Sequence, residues 1–131
     1  MIKFRAWDDV QKKMLVPDSI EFVNGEPYWI DVSDGDDGCQ NDSDPKQILL
    51  EQFIGLNDEN GQEIYEGDIV QETALPAGTV RRVAPIIFYQ EYARFGLKVG
   101  NGYPLWGKSE FVSYEVIGNI HENPELLESD K

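Results

Sequence analysis

Ile2-Lys3-Phe4-Arg5-Ala6-Trp7 alternates apolar and charged positions with a period of two, the signature of a half-buried strand. Asp8-Asp9 supplies turn chemistry, and Lys13-Met14-Leu15-Val16 reads as the returning strand, stopped by Pro17. Ile20-Glu21-Phe22-Val23 then leads into Asn24-Gly25. Both residues accept positive φ cheaply, so this pair between apolar runs marks a hairpin. Pro27-Tyr28-Trp29-Ile30-Asp31-Val32 is the partner strand, and the opening of the chain is a β-meander.

Residues 33–45 are rich in Asp, Asn and Gly and read as an acidic loop. Asp34, Asp36 and Asp37 crowd beside two glycines and form a weak calcium candidate. An EF-hand loop beginning at Asp34 would put Gly38 at position 5 and Pro45 at position 12, so its ligand spacing fails. The next run, residues 46–56, has two readings. As a helix, Leu49, Leu50, Phe53 and Ile54 share a face, with Asp44 as cap and Pro45 at the first helical position. As a strand, Ile48, Leu50 and Ile54 share one. The short run and its β-rich surroundings favour the strand.

The second half contains short strands at 8–12-residue spacing, separated by glycine turns. Asp68-Ile69-Val70, Thr79 to Val83, Ile86 to Tyr89, Arg94 to Val99, Tyr103 to Phe111 and Tyr114 to Ile120 form the array. The expected fold is mainly β. It consists of an N-terminal meander (1–61) packed on a C-terminal SH3-like or related small barrel (62–131), the two forming one compact unit. Asn123-Pro124-Glu125 opens a short C-terminal helix, with Asn123 as its cap.

Composition narrows the function. The 131 residues carry 25 Asp+Glu against 11 Lys+Arg, for a net charge of −14. Such a surface repels duplex DNA and anionic membranes at long range. No apolar run reaches the roughly 20 residues of a membrane helix, and the first residues do not resemble a signal peptide. The single cysteine, Cys39, suits a reducing cytoplasm. Cys39 and His121 are the only candidates for thiolate or general-base chemistry at neutral pH. They lie far apart in sequence, and acids around Cys39 oppose thiolate formation. No cofactor motif is present, and the expectation is a protein without enzymatic activity.

One stretch departs from the acidic whole. Between residues 73 and 109, Arg81, Arg82, Arg94, Lys98 and Lys108 face only Glu91. Interleaved with Tyr92, Trp106 and other aromatics, they hold the ingredients of a single-strand nucleic-acid groove, with cations for phosphates and rings for bases. The plainer reading is core aromatics and ordinary strand-surface cations.

Three further stretches carry a family likeness. They are Met-Ile-Lys-Phe-Arg-Ala-Trp-Asp at the start, the block Gln52-Phe53-Ile54-Gly55-Leu56 through Asp58, Asn60-Gly61 and Ile64 to Val70, and Tyr114 to Leu127. Together they closely resemble the YopX family along the whole chain, with Ile54 in place of the usual Thr. The resemblance implies a small β-rich protein of phages, prophages and related mobile elements. It implies no reaction and carries over no catalytic residue, because the family is known by occurrence and fold. The shared block reads equally as turn and core residues. The resulting expectation is a prophage interaction protein in the host cytoplasm, binding a protein partner and assembling with itself. The alternative is a single-strand nucleic-acid module using the basic stretch.

Overall fold

A computed structural model describes residues 1–33, 40–43, 48–100, 103–105 and 109–128. The chain forms two compact units, Ile2–Gln52 and Phe53–Lys131, the latter together with Met1. The protein is mainly β, with one short helix among the described residues, near the C-terminus. Among the described residues, no helix is long and apolar enough to cross a membrane.

In the first unit, β1 (Phe4–Asp8) lies between β2 (Lys13–Leu15) and the first half of β6 (Ile48–Asn57), both antiparallel to it. The partnership with β1 decides the ambiguous run in favour of a strand: Phe4 to Asp8 pair in register with Gln52 to Ile48. Arg5 and Glu51 are direct cross-strand neighbours, and their side chains form a 2.9 Å ion pair with little exposure. A second sheet contains β3 (Pro17–Val23), β4 (Glu26–Ser33) and β5 (Gln40–Ser43) in that order. Its first hairpin turns on Asn24 and Gly25, at φ 55° and 82°, the double left-handed conformation that this pair of residues favours. The core of this unit consists of Ala6, Leu15, Ile30, Val32 and Ile48, with Ile20 and Leu50 packed against it.

In the second unit, β7 (Glu63–Tyr65) pairs with the latter part of β6. A five-stranded sheet follows, in the order β11 (Tyr103–Pro104), β10 (Arg94–Leu97), β9 (Thr79–Tyr89), β8 (Asp68–Ala74), β12 (Val112–Asn119). Thr79 to Val83 and Ile86 to Tyr89, read from sequence as two strands, are one. Pro85 lacks an N–H, and it sits where β9 changes partner. Residues before it pair with β8, whose last rung is Ile69 with Pro85, whereas Ile86 to Tyr89 pair with β10. A proline at such a handover need not end the strand. Bulges in both ladders of β8 add to the curl of the sheet. Ile64, Val70, Ala84, Ile86, Leu97, Val112 and Tyr114 fill its concave side, and Ile54 and Leu56 of β6 pack against them.

The chain leaves β12 through a corner that requires a close approach. Asn119 Oδ1 accepts from the amides of His121 (3.0 Å) and Glu122 (2.9 Å). Asn123 precedes α1 (Glu125–Glu128) as expected, and its Oδ1 accepts from the Asn119 amide at 3.2 Å. This lays Asn123 against Gly118, where a Cβ would stand 2.7 Å from Asn123 Oδ1 and 2.9 Å from its Cβ. Gly118→Ala is therefore expected to cost about 1–3 kcal/mol through overpacking. Urea denaturation measures it; an unchanged midpoint would contradict the close approach.

Candidate functional site

The acidic side chains that the fold buries are mostly committed to main-chain amides. Asp8, Asp58 and Asp68 are each under a tenth exposed, as is Asn119. Asp8 Oδ1 accepts from Val10 and Gln11 and shapes the turn between β1 and β2. Asp68 Oδ2 accepts from Tyr65 at 2.8 Å and sets the corner between β7 and β8. Asp58 does most. Its Oδ1 accepts from Asn60 and Gln62, and its Oδ2 from Val116 on β12, all at 2.9 Å. The Glu59 amide adds a bond to the Tyr114 carbonyl at 3.0 Å, and Asn60 Nδ2 one to Glu115 at 3.2 Å. The block Asp58-x-Asn60-Gly61 is thus a turn knotted onto a strand more than fifty residues away.

Beside this knot lies a groove of about 590 Å³. The turn after β6 forms one wall, with Asn57, Asp58 and Glu59. The chain entering β12 forms the other, with Ser109, Glu110 and Ser113, and Val112 and Tyr114 contribute apolar area. Glu59 and Glu110 are exposed, and among the described residues the lining contains no Lys, Arg or His. Sequence reasoning did not find this groove. Its two walls are distant in the chain, and the Asp58 bond that joins them leaves no local signature.

The described cations between residues 73 and 109 are spread along β9, β10 and the residue that follows β10. Glu72 stands opposite Arg82 on β9 and Tyr114 on β12, and alternation places it on the same side of β8 as Val70. Its carboxylate is fully buried, 3.1 Å from Arg82 Nε and 3.7 Å from Arg81 Nε. Arg81 and Arg82 therefore lie beside a buried carboxylate that falls one residue before the cationic stretch. Arg94 lies over the Tyr92 ring, 5.0 Å from its centroid, on the strand opposite Tyr89. Arg82 and Tyr89 are seven residues apart on β9, roughly 23 Å of strand at about 3.3 Å per residue. Lys98 is nearer the middle, where its amide donates to the Pro85 carbonyl. Lys108 and Trp106 lie outside the described residues. So do Cys39 and the calcium candidates Asp34, Asp36 and Asp37. Among the described residues, no group of three or more His, Cys, Asp and Glu is placed to hold a metal ion. His121 belongs to the corner after β12, its amide bonded to Asn119.

These features define a small, mainly β protein of two antiparallel units whose connections are tied by buried Asp and Asn side chains. The chain belongs to the YopX family, described as YopX protein, whose profile matches residues 3–128. It is also similar to the crystal structure of protein EF1440 from Enterococcus faecalis, with 30% sequence identity and a TM-score of 0.66. That likeness covers 97% of this chain and 98% of that one. A comparison with curated proteins gives no match.

Removing the Asp58 carboxylate strands three amides at once. Asp58→Ala should lower the stability of the C-terminal unit by about 2–4 kcal/mol. Asp58→Asn, which keeps the shape and one acceptor oxygen, should lose less. Urea denaturation followed by Trp fluorescence and circular dichroism gives the comparison. Equal stability of wild type and Asp58→Ala would show that the knot contributes nothing.

Proposed function

We propose that the chain is a non-enzymatic interaction protein of a phage, prophage or related mobile element, acting in the bacterial cytoplasm. On this reading it binds a protein partner through the β3–β4 hairpin and assembles with itself. The observation that carries the proposal is the surface of that hairpin. Phe22 is 51% exposed and Tyr28 59%, with Val23 and Trp29 also exposed. The Trp29 indole is held in place by its N–H donating to Asp31 at 2.8 Å, and Ser19 donates to the same carboxylate. Rigid aromatic area of this kind offers contact surface at low entropic cost.

Charge selects the partner. Residues 17–32 contain Asp18, Glu21, Glu26 and Asp31 and no cation. Apolar residues ringed by one sign of charge suit a partner with aliphatic groups inside a basic rim. Among the described residues β3 is also an outer strand of its sheet, an edge on which a further strand can pair. A second copy can use such an edge where its acids are offset.

Phe22→Ser/Tyr28→Ser removes the aromatic area from positions where little packing is lost. Its unfolding free energy should stay within about 0.5 kcal/mol of wild type. Tagged wild type and variant are compared by affinity capture from lysate of a bacterial host. A prey retained by the wild type, lost by the variant and released by salt is the expected result. Identical captures would overturn the hairpin's role. Sedimentation at rising concentration should show assembly, and a monomer throughout would remove that part.

A further inference from the structure

The groove beside the Asp58 knot offers more specific chemistry than the hairpin. Its volume of about 590 Å³ falls in the range of sites that take small ligands, and leaves ample room for one long side chain. Val112 and Tyr114 give it apolar area, and both are nearly inaccessible. Ser109 and Ser113 add hydroxyls. Glu59 and Glu110 stand exposed on its opposite walls, one from each of the two segments joined by Asp58. Among the described residues neither glutamate has a cationic partner, and the nearby Asp58 carboxylate is occupied by three amides. The cavity thus combines apolar surface, neutral hydroxyls and two exposed carboxylates, one from each segment.

We propose that this groove is a binding site for an arginine side chain presented by a partner protein. The inference rests on the reading of the chain as a protein-binding module, and it adds a second contact in the other unit. An arginine matches each part of the site. Its methylene stem covers apolar surface while its head stays polar. Its planar guanidinium carries five N–H donors, enough to reach carboxylates on two walls and a hydroxyl between them. Lysine brings one compact ammonium and cannot span both glutamates with directed bonds in the same way. A chain of charge −14 further concentrates cationic partners around the site.

The test uses the full chain and a synthetic peptide, acetyl-Gly-Ser-Arg-Ser-Gly-amide, beside the same peptide with citrulline, which keeps the shape and removes the charge. Both are titrated at low salt while backbone amide NMR shifts are followed. Saturable shifts confined to residues 57–59 and 109–114 are expected, with at least about tenfold weaker binding of the citrulline peptide. Glu59→Gln/Glu110→Gln should weaken the arginine peptide by about tenfold with unchanged thermal unfolding. Phe22→Ser/Tyr28→Ser should bind it like wild type, so failure at the groove is separable from failure of the hairpin. Absent shifts at the groove, diffuse shifts over the acidic surface, or equal binding of the two peptides would overturn the proposal.

Discussion

One carboxylate closes the C-terminal unit. Asp58 satisfies two amides of its own turn and one on β12, whose residues lie far along the chain. Main-chain donors inside a protein must find acceptors, and three of them converge on this side chain. The bond from the Glu59 amide to the Tyr114 carbonyl runs alongside it. Both bonds join the end of β6 to β12, an outer strand of the five-stranded sheet. Without them the segment after β6 would have little reason to lie against that strand. The groove between residues 57–59 and 109–114 depends on that placement.

The same chemistry recurs at lower reach. Asp8, Asp68 and Asn119 each direct a side-chain oxygen at amides two or three residues away and fix a corner. These residues fall in the stretches that give the chain its family likeness. Their carboxylates and carboxamide are engaged with the main chain. The proposed contact surfaces lie elsewhere, at the exposed aromatics of the β3–β4 hairpin and on the rim of the groove.

Strand positions and the Asn24-Gly25 turn were legible because a period of two and a left-handed turn are local properties. The run after residue 46 was ambiguous alone, since Ile48 to Ile54 suits a helix face or a strand face. Pairing with Phe4 to Asp8 settles it. Thr79 to Val83 and Ile86 to Tyr89 read as two strands because β9 changes partner at Pro85, which no local pattern announces. The setting of Arg81 and Arg82 was illegible for a related reason. Glu72 falls one residue before it, and only the register of β8 with β9 brings that carboxylate to Arg81 and Arg82. Asp58 was readable as a turn residue, but its bond to Val116 was not.

The most direct measurement of the Asp58 knot is native-state hydrogen exchange at the Val116, Gln62 and Asn60 amides. If Asp58 closes the C-terminal unit, these three amides are held by one buried carboxylate that lets go only when the unit unfolds. They should exchange as slowly as the ladder amides of β8 and share their denaturant dependence. Exchange of Val116 and Gln62 at the rates of an exposed turn, with β8 still protected, would contradict it.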